Sequence, residues 1–385
     1  MVDRITDIWG ERTPHPRGTV WPARVDFHLE EGLAESDVDR WVQSACLLCS
    51  NGCGCDIAVK DGRMVGVRGR AGDTVNHGRL GPKGLYASTP WATSSDRLTR
   101  PLIRRDGRLV ETDWETAISR IVEVSQRLLE EKGPLSHGFY TSGQLFLEEY
   151  YTLAVIGKAG LGTPHMDGNT RLCTATSAAA FKESFGADGQ PGSYTDIEHC
   201  DAIFLFGHNM PETQTVLWAR ILDRTRGQDP PRIVCVDPRR TLVATEAERT
   251  GGVHLAPRVG TNLALMNGLT RELFTNDWVD TEWVEQHTIG VDDLRATVAS
   301  LHPRRGGADL WRGRSGPAAG CPDLRRERRG PLDGAPGVLP VPPGHRGLGG
   351  GEQSAPVTRP DRSARLWCAA DERSAHGTEQ PRVRG

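Results

Sequence analysis

Four cysteines packed into one short stretch constrain this chain more than any other feature. Cys46, Cys49 and Cys53 stand in the spacing C-x2-C-x3-C, and Cys55 follows two residues later. Thiols this dense either pair as disulfides or converge as thiolates on a soft metal or iron–sulfur centre. The N-terminus, MVDRITDIWGERTPHPRGTV, has no apolar core after a basic start, so no secretory signal is expected. That places the protein in the cytoplasm, where thiols stay reduced and the metal is favoured over disulfides. Glycines in the loop let it bend until several sulfurs face one centre. The alternative is a set of structural or incidental thiols.

Length and charge narrow the class. A chain of 385 residues has room for two or three domains. A formal charge of -3 argues against a dedicated nucleic-acid binder, and no apolar run is long enough to span a membrane. Five lysines stand against 42 arginines, a bias of GC-rich coding rather than of function.

Residues 1–40 read as an extended N-terminal arm, with Pro14, Pro16 and Pro22 breaking any early helix. From Asp56, DIAVKDGRMVGVRG alternates apolar and polar residues around Asp61-Gly62, which predicts a β-hairpin. A cluster loop followed by such a small antiparallel sheet predicts a compact domain over residues 41–98. Asp106-Gly107 marks a second hairpin, after which Thr112 or Asp113 can cap a helix. Ile118, Ile121, Val122, Ser125, Leu128 and Leu129 recur at helical spacing in that helix, and Gly133-Pro134 ends it.

From Leu135 to about Ser300, short apolar runs alternate with amphipathic helices. GFYTSGQ, DAIFLFGHN and PRIVCVDPRR read as strands, and EEYYTLAVIGKAGLG, PETQTVLWARILDRTRG and LALMNGLTRELF as helices. The fold class is therefore α/β, a parallel sheet covered by helices on both faces. Ligands bind at the carboxyl ends of such strands. That puts Gly143-Gln144, Gly207-His208-Asn209 and Asp237-Pro238-Arg239 on one rim, where backbone N–H groups could meet phosphates and Asp237 and Arg239 could read a nucleotide. Each has a structural alternative as an ordinary turn or strand exit. Cys200 and Cys235 sit on strands and read as core residues. Cys173, in GNTRLCTATSAAAF, lies beside a helix start whose dipole favours a thiolate, with Asn169 and Thr170 supplying polar groups.

These motifs together resemble the molybdopterin oxidoreductases, the family of formate dehydrogenases, nitrate reductases and dimethyl sulfoxide reductase. The cysteine loop is similar to the N-terminal domain in which C-x2-C-x3-C and a later C-P-K-G hold a 4Fe–4S cluster. Here the later segment reads GRLGPKG, with Gly81 at the last cysteine. The cluster could use Cys55, Asp73 or His77 instead, lose an iron, or fail to assemble. Lys83 survives; the resemblance places it between cluster and pterin, where a cation assists electron passage. The pattern R-P-L-x-R…W-x-x-A, met by Trp114 and Ala117, leads into the first cofactor-binding domain. FLFGHNMPETQT, IVCVDPRRT and LAPRVGTNLALMNG resemble the contacts to a bis-molybdopterin guanine dinucleotide. That likeness assigns Gln144, Asn169, Gly207, His208, Asn209, Pro211, Glu212, Thr213, Asp237, Pro238, Arg239, Gly260, Thr261 and Asn262 to the cofactor. N-x-R-x-C makes Cys173 the molybdenum ligand. Many formate dehydrogenases carry a histidine at the next position, where this chain has Thr174, and LCTATSAAAFKESFGADGQPGSYTDIEHCDA more closely resembles the cytoplasmic, assimilatory nitrate reductases. That likeness implies reduction of nitrate to nitrite by oxygen-atom transfer, with electrons supplied by a donor protein, and neither nucleic acid nor membrane as partner. Formate dehydrogenase and a non-catalytic cluster-binding fragment are the alternatives.

The composition changes after about Ser300. Residues 303–385 hold 15 Arg, 15 Gly and 11 Pro and lack Ile, Phe, Tyr, Met, Asn and Lys. A flexible tail is one reading. The other is translation out of frame: moved by one nucleotide, permitted codons for GEQSAPVTRPDRSARLWCAADERSAHGTEQP can spell the NNLH…GRPG…NGQ segment of nitrate reductases. The expected organisation is an arm over 1–40, an iron–sulfur domain over 41–98, an incomplete α/β domain over 99–300 and an out-of-frame tail over 301–385.

Overall fold

Alternation on either side of Asp61-Gly62 folds back on itself in the computed structural model. It describes residues 12–49, 51–87, 94–189 and 191–300, with the backbone of Arg365–Ala370. Strands β1 (Phe27–Leu29), β2 (Arg40–Ala45), β3 (Gly54–Lys60) and β4 (Arg63–Gly69) form an antiparallel sheet in the order β1-β4-β3-β2. Asp61 (φ 49°) and Gly62 (φ 73°) both take the left-handed conformation that a two-residue hairpin turn demands. Leu29, Ala58 and Val65 form the small core, flanked by Leu33, Val38 and Trp41. Part of the arm is taken into this sheet, where Phe27–Leu29 pairs with Gly66–Arg68.

Asp106 and Gly107 repeat the turn at φ 48° and 80°, joining β5 (Leu102–Arg105) to β6 (Arg108–Glu111). The helix Trp114–Lys132 starts where Asp113 accepts the Thr116 N–H at 2.7 Å, and stops at Gly133, φ 75°. Its apolar stripe is not buried among the described residues, since Ile118, Ile121 and Val122 stay exposed. β7 (Phe139–Thr141) pairs in parallel with β8 (Met166–Gly168), forming a sheet of their own. Between them the helix Leu147–Ala154 runs into a π-helical turn, Val155–Leu161.

β9 (Cys200–Phe206), β10 (Arg232–Val236) and β11 (Val253–Leu255) lie parallel in a second sheet. The period of two sorts their side chains. Ile203, Leu205, Ile233 and Cys235 face the helices Thr215–Arg224 and Leu242–Arg249 through Leu217, Trp218, Ile221, Val243 and Ala247. Phe204, Phe206, Val234 and Val236 meet Leu265 and Leu269 of the helix Asn262–Thr275. Both faces are covered, as the α/β reading requires. Cys200 and Cys235 are core residues, and burial pushes each thiol up to about 12. The tail adds an edge: β12 (Arg365–Ala370), an apolar run without Gly or Pro, pairs in parallel with β9.

By contacts the chain divides into two compact units, Ala23–Leu172 and the flanking segments Met1–Pro22 with Cys173–Gly385. Gly143-Gln144 thus follows β7 in one sheet, while Gly207–Asn209 and Asp237–Arg239 follow β9 and β10 in another. The single rim expected from the sequence is not formed by one sheet, because β7 pairs with β8 and not with β9. Within the second unit the arm is anchored rather than loose. Trp21 Nε1 donates to Asp223 Oδ2 at 2.8 Å and the Thr13 N–H to Asp223 Oδ1 at 2.9 Å. The Arg220–Glu198 ion pair lies fully buried beside them. Burial raises the Glu198 carboxyl and lowers the Arg220 guanidinium, each opposed by its partner's charge.

Candidate functional site

The β2–β3 ladder runs one pair beyond its last strand residues: the Cys46 N–H donates to the Cys53 carbonyl at 2.8 Å. This pair closes the loop that carries Cys49. Ser44 lies opposite Cys55 in register, and Cys46 opposite Cys53 two residues on, so Cys46, Cys53 and Cys55 share one face. Cys53 and Cys55 are buried, and Cys46 and Cys49 half-buried. Gly84, in the helix Pro82–Tyr86, packs so close that a Cβ there would stand 3.1 Å from Cys46 Sγ.

Asn76 clamps the far side of the loop, a role the sequence reading missed. Its Oδ1 accepts the Gly54 N–H at 3.1 Å, and its Nδ2 donates to the carbonyls of Gly54 at 2.9 Å and Arg79 at 2.6 Å. Gln144 Nε2 donates to the Leu47 carbonyl at 2.9 Å, which fastens the loop from a second direction. Asn51 Nδ2 donates to Cys53 Sγ at 3.4 Å.

Burial raises the thiols of Cys49 and Cys53, partly opposed by hydrogen bonds from Asn51 and, at Cys49, by the charge of Lys83. Burial likewise pushes Cys55 up to about 12, with the charges of Cys46 and Asp56 adding to it. Such thiols deprotonate only as a metal takes the proton's place. Lys83 itself is exposed. Of the other ligands the sequence left open, Asp73 Oδ1 accepts the N–H groups of Val75 and Asn76 at 2.9 and 3.2 Å. His77 occupies a left-handed turn, φ 45°. Gly81 caps the helix Pro82–Tyr86 and offers no side chain. Among the described residues no three His, Cys, Asp or Glu side chains close around one point for a single metal ion. Four sulfurs spread over a loop and its strand suit a cluster, whose several irons hold their ligands farther apart.

In the second unit, the carboxyl ends of β9 and β10 open into a cleft of about 330 Å³. It is lined by Asn209, Glu212, Arg239, Arg240, Thr241, Leu242 and Thr245. Gly207, φ 64°, turns the chain out of β9, and its N–H donates to the Val236 carbonyl at 2.7 Å. His208 is buried behind and bonds Gln214 Oε1 through Nε2. The Asn209 carbonyl caps the short helix Met210–Thr213, which holds Pro211, Glu212 and Thr213, while its buried Oδ1 has no hydrogen-bond partner. After β10, the buried Asp237 folds back to accept the Arg239 N–H at 2.7 Å and leaves the Arg239 side chain 72% exposed. Pro238 lies between them. Thr241 caps the helix Leu242–Arg249.

The expected residues Asn209, Glu212 and Arg239 thus meet in one cleft. Arg240, Thr241, Leu242 and Thr245 join them and were missed, although Arg240 and Thr241 continue the same DPRRT run. Gly260, Thr261 and Asn262 lie away from the cleft lining, at the start of the helix Asn262–Thr275, with Gly260 at φ 86°.

Cys173 stands inside the first turn of the helix Thr170–Phe185, which begins earlier than TATSAAAF suggested. It is half-buried, with Sγ 3.4 Å from Thr174 Oγ1. Asn169, just before that helix, accepts the Gly143 N–H at 3.0 Å and donates its own N–H to the Thr141 carbonyl at 3.0 Å. It joins the end of β7 to the helix start. A Cβ on Gly143 would stand 2.5 Å from Thr170 Cγ2, so the contact requires glycine.

Comparison with known proteins follows this order along the chain. A model of the molybdopterin oxidoreductase Fe4S4 domain matches residues 39–89, and one of molybdopterin oxidoreductase matches residues 97–345. A nitrate reductase of Symbiobacterium thermophilum is 35% identical over 254 residues, covering 66% of this chain and 33% of that protein. A periplasmic nitrate reductase of Desulfovibrio desulfuricans is 36% identical over 240 residues, 61% of this chain and 31% of that protein. The chain therefore spans about a third of the length of the curated relatives it matches. The solved structure of acetylene hydratase from Pelobacter acetylenicus shares the fold, with a TM-score of 0.57 at 22% identity, over 70% of this chain and 36% of that one. No helix among the described residues is long and apolar enough to cross a membrane. The second family model alone takes in well over half of the sequence, and on that match the chain belongs to the molybdopterin oxidoreductases, enzymes that carry a molybdopterin cofactor and, in the domain matched at the N-terminal end, a 4Fe–4S cluster.

Proposed function

We propose that this chain is part of a molybdenum enzyme that reduces nitrate to nitrite in the cytoplasm, for nitrate assimilation. The observation that carries the substrate is the match, at 35% and 36% identity, to two proteins named nitrate reductases. Thr174 beside Cys173 supports it, because its hydroxyl cannot act as a base toward a substrate hydrogen as an imidazole can. In this reading residues 41–98 form the iron–sulfur domain and 99–300 the dinucleotide domain. An electron-donor protein serves the first.

The donor set of the cleft fits a guanine dinucleotide. Arg239 and Arg240 bring two cations to phosphate oxygens, and the start of the helix Leu242–Arg249 presents N–H groups to the same charge. Glu212 can accept from guanine N–H groups, and the orphaned Asn209 Oδ1 accepts one more. Gly260, Thr261 and Asn262 would offer a further helix start to the cofactor. The cofactor, when bound, supplies a redox-active molybdenum competent for oxygen-atom transfer, with Cys173 as its proposed soft ligand. Lys83 places a cation beside Cys49 on the electron path.

A second reading, a cluster-binding fragment without turnover, rests on Gly81, which offers no side chain to the cluster. Metal analysis with dye-linked assays separates them. Bound molybdenum with nitrate-dependent oxidation of the dye supports the first reading. Formate-dependent dye reduction moves the substrate to formate, and iron without molybdenum or turnover leaves the fragment. Cell fractionation tests the cytoplasmic assignment. The out-of-frame reading of residues 301–385 is likewise a proposal, tested by sequencing from codon 295 onward. A one-base change that reopens a long frame supports it, and an unchanged frame sinks it.

A further inference from the structure

We infer that Cys55 is the fourth thiolate of the iron–sulfur cluster, supplying the ligand that Gly81 lacks. The inference rests on the reading that the Cys46–Cys53 loop holds a cluster at all.

The strand register carries it. Cys46 and Cys53 form a directly opposed pair, and Cys55 projects from the same face one step along β3. Opposed residues in an antiparallel ladder have Cβ atoms about 5 Å apart, diagonal ones about 7 Å. Cys53 and Cys55, two residues apart on one strand, are also about 7 Å apart. Three sulfurs at such separations can each take a different iron of one cluster, with Cys49 closing over it from the loop. Among the described residues no three such side chains gather into a single-ion site.

The cross-strand neighbours of Cys55 are small. On one side Cys55 faces Ser44, a small residue, and on the other it faces Gly69. A Cβ on Gly69 would run into the Gly78 carbonyl oxygen, so no larger side chain can cover Cys55 from that strand. Cys55 is buried, 3% exposed. Asp73 is the weaker rival. Its Oδ1 already accepts two backbone N–H groups, and a hard carboxylate suits iron–sulfur chemistry less well than a thiolate. Ligation is a simple exchange: the Cys55 thiol releases its proton to solvent as the Fe–S bond forms, with no change of oxidation state.

The test uses the full chain, reconstituted anaerobically with iron and sulfide, and reads iron content and electron paramagnetic resonance rather than turnover. Wild type should hold about four irons, with a diamagnetic oxidised cluster that becomes paramagnetic on reduction. Cys55→Ala should lose one iron and show the paramagnetic signal of an oxidised 3Fe–4S cluster, whereas Asp73→Asn should keep all four. Four irons and an unchanged spectrum in Cys55→Ala would overturn the assignment, as would loss of one iron in Asp73→Asn. Wild type gives a reading that needs no variant. Retention of four irons under mild oxidation supports a fourth protein thiolate, and a three-iron signal in wild type overturns it. Wild type that takes up no iron refutes the cluster reading itself, a result distinct from the others.

Discussion

Replacing Glu246 by alanine removes the carboxylate that pins the cleft-lining helix Leu242–Arg249 to the end of the helix Thr215–Arg224. Glu246 Oε1 accepts from Thr225 Oγ1 at 2.6 Å, from Arg249 Nη2 at 2.7 Å and from Arg226 Nη1 at 3.3 Å, while Oε2 accepts from Arg249 Nε at 2.8 Å. The Thr225 bond is buried and made to a charged acceptor, so its loss costs about 1.5–3 kcal/mol even though the hydroxyl keeps the Leu222 carbonyl as a partner. Arg249 is 46% exposed, so water screens its paired bonds and they contribute about 1 kcal/mol or less. Together Glu246→Ala should destabilise this pairing by about 3 kcal/mol, which speeds local amide exchange on the order of a hundredfold. Burial raises the Glu246 carboxyl, but bonds from Arg249 and Thr225 outweigh it and hold its pKa below the usual 4.5. The unfolded chain therefore binds the proton more readily, so the contribution is complete above pH 4.5 and is lost as pH falls through the lower folded value. Exchange mass spectrometry on peptides from 215–249, for both proteins from about pH 7 down into acid, measures the gap and its narrowing. Equal protection at neutral pH, or a gap undiminished in acid, would refute the argument.

Three further outcomes are expected. Gly69→Ala drives a Cβ into the Gly78 carbonyl oxygen and should cost about 1–3 kcal/mol in thermal unfolding, with iron uptake reduced in parallel; an unchanged melting temperature would show that the loop can yield. Arg239→Ala should weaken binding of guanosine diphosphate, followed by calorimetry, about 10- to 100-fold, and equal affinity would remove Arg239 from the cleft's function. Cys173→Ser should abolish dye-linked nitrate turnover, while Cys200→Ser should lower stability and spare turnover; activity surviving in Cys173→Ser would remove the proposed metal ligand.

Local chemistry was legible from residues close together in the chain. Asp61-Gly62 and Asp106-Gly107 announce their hairpins because only such pairs accept two left-handed residues in succession. Asp113 and Gly133 bound their helix, and Gly207 turns the chain at the end of β9, for equally local reasons. The cysteine spacing, and the alternation that builds β9 and β10, likewise needed no distant partner. Long-range pairing decided the rest. Nothing near Cys55 in sequence says that it shares a face with Cys46, because that depends on the register of β2 against β3. Phe27–Leu29 becomes a strand only by meeting β4, and the arm before it is held by Asp223, some two hundred residues away. Gly143 left the expected rim once β7 paired with β8, and Arg240, Thr241 and Thr245 entered the cleft only when their helix packed against β10. Turn and cap preferences are short-range and can be read from neighbouring residues. Register and burial are set by contacts between distant segments, so for this protein they came from the tertiary structure alone.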